Sequence, residues 1–129
     1  MKATFAGGPT GRRLDATAAA VRGGRSVVLV TDQVPARPRD GDLMPFLGRP
    51  ARVDRSPAAL AARLRKPLVV VAARREGRRQ IIHVLAVLEP RGAAGVAAAT
   101  REATRLLGAF VVSHPESWMW LHRRWKDAP

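Results

Sequence analysis

The sequence predicts an α/β fold, a mixed sheet with flanking helices, on three observations. Short β-branched runs, "RSVVLV", "PLVVV" and "IIHVLAV", alternate with segments of helical spacing. A helix-start signal, Ser56-Pro57, stands between the first and second runs, where a parallel pair needs its crossover. An apolar share of 47% in 129 residues fills one core and no more than one.

Taken in order, residues 1–15 are rich in Gly, Pro and Arg and are expected to form a loosely ordered segment ahead of a domain over 16–129. "DATAAAVRGG" reads as a short alanine-rich helix closed by Gly23 and Gly24. "RSVVLVTDQ" reads as a strand over 26–31, buried on both faces, with Asp32 and Gln33 at the carboxyl end where open α/β sheets bind ligands. From Val34 to Asp54 four prolines predict a long loop, whose apolar island "LMPFLG" must pack on something.

"RSPAALAARLRK" follows as an amphipathic helix with Ser56 as N-cap and Pro57 at the first helical position. The runs at 68–73 and 80–88 form a hairpin around "EGR", with 26–31 parallel to 68–73. The longest helix is "VAAATREATRLLGAFVVSH", with Val96, Ala99, Ala103, Leu106, Leu107, Phe110 and Val111 on its apolar face.

A formal charge of +13 attracts polyanions or an anionic lipid surface. Lys2, Lys66 and Lys126 are the only lysines; arginine enrichment fits either phosphate recognition or a GC-rich coding bias. Cysteine is absent, which excludes disulfides and thiolate metal sites, and no metal-ligand cluster is expected. No apolar run approaches the roughly 20 residues that span a bilayer, and "MKATFAGGPTGRRLD" is neither signal peptide nor anchor, so membrane contact is expected to be peripheral. Nucleic acid is not an expected partner: zinc-finger spacing and tyrosine are absent, and no aromatics alternate along a strand.

The nucleophile-elbow, Walker and dinucleotide fingerprints are missing too. His83, inside a strand run, reads as structural, and His114, before a proline at a helix end, as a cap. His122 and Asp127 fit H-x-x-x-x-D, in which an acid orients an imidazole that deprotonates a hydroxyl. Two residues at a chain terminus meet that pattern easily by chance. All three tryptophans, Trp118, Trp120 and Trp125, fall in the closing "SHPESWMWLHRRWKDAP" among His122, Arg123, Arg124 and Lys126. Their spacing does not oblige them to share a face, so core packing suits two and interfacial anchoring the third.

With "DQ", "PFLGRPA", "SPAALAARLRKPLVVV" and "HPESWMWLHRRWK" in this order, the sequence resembles the C-terminal half of a bacterial lipid A biosynthesis acyltransferase, of the lauroyl or myristoyl transferase type. The resemblance covers roughly residues 20 to 127 and implies part of a glycerolipid-acyltransferase-like α/β domain. It also implies transfer of a fatty acyl chain from an acyl-carrier-protein or acyl-CoA thioester to a hydroxyl of lipid A or a related phosphorylated glycolipid. Lipopolysaccharide assembly at the cytoplasmic face of the bacterial inner membrane follows, with no cofactor, and with acyl-carrier protein and an anionic glycolipid or membrane as partners. The family's own H-x-x-x-x-D/E motif and membrane anchor stand upstream of the "DQ" strand and have no counterpart here. The expectation is therefore a chain that is inactive alone.

On this reading Asp32 and Gln33 match the family's acidic motif after a strand; Asp32 serves either to position substrate or to cap a helix or loop. Arg49, Arg74, Arg75, Arg123 and Arg124 are the candidates for lipid phosphate or the acidic carrier protein. The alternative is a non-catalytic basic module that binds anionic lipid or a partner protein.

Overall fold

A computed structural model of the protein describes the backbone of residues 3–5, 10–35 and 37–126, with side chains within 15–35 and 37–126. Helices and strands alternate as an α/β chain should, but the strands form three separate two-stranded ladders among the described residues. The first is parallel: β1 (Ala3–Phe5) leads through α1 (Thr10–Arg22) to β2 (Ser26–Val28), and Ala3 pairs with Ser26. Thus β1 and the start of α1 fall in the segment expected to be loosely ordered. The run at 26–31 ends early, at Val28, and its parallel partner is β1 rather than 68–73. Its residues are exposed or half-buried, not covered on both faces. A βαβ unit closed within the first 28 residues costs less chain entropy than a pairing across the hairpin and helix that separate this run from 68–73.

The predicted loop at 34–54 is instead mostly a hairpin. After a 3-10 turn at Pro38–Asp40, β3 (Gly41–Phe46) pairs antiparallel with β4 (Arg49–Asp54). Leu47 and Gly48 make the two-residue connection with φ of 51° and 75°, the two positive values that a type I′ turn requires. Phe46 faces Arg49 across the turn and Pro45 faces Pro50. Because Phe46 and Arg49 close the turn as a hydrogen-bonded pair, the ladder's alternation leaves both prolines where an N–H is not needed. The apolar island is this hairpin's inner face, with Met44, Phe46, Ala51 and Val53 buried. Gly41 is forced at its position, since a Cβ would stand 2.6 Å from Pro35 Cγ and 2.9 Å from the Val53 carbonyl oxygen.

α2 (Ser56–Leu64) starts at the predicted place with a different cap. Ser56 is already helical, and its N–H donates to Asp54 Oδ1 at 2.8 Å. α2 buries Ala58, Leu60 and Ala61 and stops at Arg65, in the left-handed region with φ 52°. β5 (Leu68–Glu76) and β6 (Arg79–Leu88) make the predicted hairpin, with a register shift after Val70. The shift leaves Val69, Val71, Ile82, Val84 and Val87 on one outward, exposed face. On the other, Val70 is buried and His83 lies against Phe110.

α3 (Gly92–Ser113) packs on α2, β3, β5 and β6. Its most deeply buried residues are Ala99, Thr100, Thr104, Gly108 and Val111, a narrower and more polar stripe than predicted. Small residues let several neighbours approach, and the two threonines stay satisfied within the helix: Thr100 Oγ1 donates to Val96 O and Thr104 Oγ1 to Thr100 O. Phe46, Ala51 and Val111 form the core cluster, with Leu47, Trp118 and Trp125 packed around it. No helix among the described residues is long and apolar enough to cross a membrane.

Candidate functional site

The site begins where α3 ends. His114 N–H donates to Phe110 O at 2.8 Å, Pro115–Ser117 makes one 3-10 turn, and a series of short-range bonds from Trp118 to Lys126 then folds the tail compactly. The tail docks on the β3–β4 hairpin through Phe46. Trp118 stacks on that ring at 5.2 Å between centroids and Trp125 at 6.1 Å, both tilted. The Arg124 guanidinium lies 5.4 Å from the centre of the same ring.

Arg124 is the tie between tail and hairpin. It is only 2% exposed, and its Nη1 donates to the Arg52 carbonyl oxygen at 2.6 Å. Burial lowers its pKa because the charged form loses water, and the Asp32 carboxylate opposes that shift. Arg49, at the start of β4, extends over the Trp125 ring at 5.4 Å. Phe46 and Trp125 at the hairpin–tail junction therefore each also place a guanidinium.

These contacts shape an open pocket of about 510 Å³ lined by Arg49 and by the tail from Trp120 to Lys126. Arg124 is its floor; Arg49, Arg123 and Lys126 are exposed around it. No Asp or Glu stands among its described lining residues. Three of them keep a buried nitrogen with no hydrogen-bond partner among the described residues: His122 Nδ1, Arg124 Nε and Trp125 Nε1. Of the tryptophans, Trp118 and Trp125 are the two packed on Phe46, whereas Trp120 is 54% exposed and donates Nε1–H to Pro115 O at 2.7 Å.

The five candidate arginines do not converge. Arg49, Arg123 and Arg124 share the pocket, while Arg74 and Arg75 occupy the far end of β5. Arg74 donates to His83 Nε2 and to Glu76 Oε1, both at 3.2 Å, and Arg75 Nε to Gly77 O at 3.0 Å. Asp32 and Gln33 lie beyond the end of β2, and Gln33 is exposed. Asp32 is half-buried, and its negative charge partly offsets the effect of burial on the Arg124 pKa.

Among the histidines, His83 and His114 stack at 6.1 Å between centroids, and His114 Nδ1 lies 3.7 Å from Glu116 Oε1. His122 lines the pocket; Asp127, its prospective acid, lies outside the described residues. No cluster of His, Cys, Asp and Glu able to hold a metal exists among the described residues. Sequence reasoning missed Phe46 and Arg52, because their part depends on a hairpin read as a loop. It also missed Met119 and Leu121, exposed on either side of Trp120.

Residues 8–127, most of the chain, match the family model of the bacterial lipid A biosynthesis acyltransferases. The chain belongs to that family. No curated protein matches the chain. Family membership gives the chain a general acyltransferase character and ties it to lipid A biosynthesis. It also gives the docked tail a context, because the matched region runs through the whole hairpin–tail junction.

Proposed function

We propose that the chain serves the transfer of a fatty acyl group from an acyl-carrier-protein or acyl-CoA thioester to a hydroxyl of a phosphorylated glycolipid, and that the hairpin–tail pocket holds the glycolipid's phosphate. The observation that carries this reading is the pocket itself: three exposed cations over a buried arginine, with no described carboxylate in the lining. Phosphate oxygens are strong acceptors, and a partly desolvated arginine cluster binds them through charge-assisted bonds. The unpartnered Arg124 and Trp125 N–H groups add buried donors at the pocket. In this reading the described residues supply binding and not the histidine–acid pair that would deprotonate the hydroxyl. The site acts at the cytoplasmic face of the inner membrane, against an anionic lipid surface.

Co-sedimentation with phosphatidylglycerol and phosphatidylcholine vesicles at low and high salt tests it. Each Lys or Arg near an anionic surface contributes on the order of 1 kcal/mol. Replacing Arg49 and Arg123 by alanine should therefore weaken binding to phosphatidylglycerol roughly thirtyfold at low salt, from about 2 kcal/mol. The matched pair Arg63→Ala and Arg101→Ala, exposed on α2 and α3, removes the same charge elsewhere. Equal losses from the two pairs would reduce the pocket to nonspecific charge.

A further inference from the structure

The segment Met119–Leu121 does not fit a soluble surface. Leu121 is 96% exposed, Met119 60% and Trp120 54%, three consecutive large apolar residues on the outside of a short chain. They are not a frayed end. Trp118 before them and Arg124 and Trp125 after them are held on Phe46 and Arg52, and Trp120 is tied by its Nε1–H to Pro115 O. The fold thus presents these side chains outward from a fixed base. Trp120 and Leu121 also form the apolar rim of the pocket whose other edge carries Arg49, Arg123 and Lys126.

We infer that Met119, Trp120 and Leu121 insert into the bilayer beside the cationic pocket, so that the tail reads a lipid at two depths: phosphate at Arg49 and Arg123, hydrocarbon at Leu121. This rests on the reading of the pocket as a lipid-phosphate site. Charge complementarity selects the occupant. A protruding apolar tripeptide with cations beside it matches an anionic surface whose hydrocarbon begins a few ångströms below its phosphates, and tryptophan favours that boundary. A protein partner would need a concave receptor for the wedge, and nothing about a single protruding tip with a cationic flank requires one.

The test uses the whole chain with phosphatidylglycerol vesicles carrying brominated acyl chains, which quench tryptophan only at hydrocarbon depth. The wild type should bind with part of its tryptophan emission quenched, and Trp120→Phe should remove most of that quenching while Trp118 and Trp125 still emit. Leu121→Ser should weaken partitioning on the order of tenfold, as expected for withdrawing one leucine from an apolar phase. It should also abolish the binding that survives high salt. Leu121 touches so little that the variant folds, which far-ultraviolet circular dichroism verifies.

Wild-type affinity in Leu121→Ser, with unchanged quenching in Trp120→Phe, would overturn the insertion and leave the phosphate pocket standing. Failure of the wild type to bind phosphatidylglycerol at all would overturn both. If Leu121→Ser weakened association with acyl-carrier protein while vesicle binding stayed unchanged, the wedge would be a protein contact and the inference wrong.

Discussion

Replacing Arg124 by alanine should loosen the tail and destabilise the chain by about 2 kcal/mol, in the range typical of a disrupted internal contact. The magnitude comes from opposing contributions. A hydrogen bond from a charged donor is worth about 1.5–3 kcal/mol, and the bond to Arg52 O is short at 2.6 Å. The stem lies buried with the guanidinium against Phe46, and each buried methylene contributes about 0.8 kcal/mol. Against these stands the desolvation of the guanidinium, which lowers its pKa and which Asp32 only partly offsets. Arg124→Met keeps the apolar stem and removes the buried charge, so it should cost less, under about 1 kcal/mol.

Urea unfolding followed by circular dichroism gives both differences, read as shifts in midpoint at constant slope. Tryptophan emission separates local release from global loss. Trp118 and Trp125 leave Phe46 if the tail detaches, so Arg124→Ala should shift emission to the red in buffer while helix content holds. Arg123→Ala, one residue away and exposed, should do neither. An Arg124→Ala midpoint within about 0.5 kcal/mol of wild type, the scatter of surface sites, would refute the argument that this arginine ties tail to hairpin.

Two glycine substitutions should move stability in opposite directions. Gly41→Ala drives a Cβ into the Val53 carbonyl oxygen at 2.9 Å and Pro35 Cγ at 2.6 Å and should cost about 1–3 kcal/mol, whereas Gly108→Ala meets Phe46 at 3.7 Å and should gain about 0.5–1 kcal/mol of helix propensity, both by thermal melts. The Glu102–Arg105 bond on α3 lowers the Glu102 pKa below its usual 4.5; its small stabilisation is present above that value and fades as pH falls through the lower folded one, so Glu102→Gln should lower Tm slightly near neutrality and not in strong acid. Thioester turnover with carrier protein and a lipid acceptor should be negligible for the chain alone and unchanged by His122→Ala; robust turnover lost in that variant would make His122 a base.

The elements whose periodicity is carried by long apolar runs were legible. The β5–β6 hairpin, α2 and α3 all stand within a few residues of their expected places, because alternation, Ser56-Pro57 and the long 3.6-residue spacing are local signals. The β3–β4 hairpin was not, because prolines count against strands unless the ladder register is known. Here Pro45 and Pro50 face each other, and a leucine occupies a positive-φ turn position normally announced by Asn or Gly. The pairing of β2 was misjudged since a β-branched run says that a strand exists and not which strand it joins. On the site, the tail's composition marked the segment that lines the pocket, and the division of its residues into inner and outer did not show. Trp118 and Trp125 turn to Phe46 and Trp120 away, and Arg124 turns in while Arg123 turns out, by a series of tight turns with no periodicity to read.

That division accounts for the concentration of tryptophan at the end of a chain otherwise poor in aromatics. The described residues of the tail beyond Ser117 form neither helix nor strand, so with no ladder of their own they need large contacts spaced along their length. Trp118 near its start and Arg124 and Trp125 near its end supply them, all against one ring, Phe46, with a hydrogen bond to the neighbouring strand. Anchored at both ends, the intervening residues lose much of their conformational freedom before any ligand arrives, and the ordering cost of binding falls accordingly. A lysine-rich tail of equal charge would attract the same anionic surface, yet it would have to be ordered on contact and would hold no apolar tip at a defined height above its cations. Under the proposed reading, the aromatic residues that look like excess in the sequence are what turns a basic terminus into a shaped site.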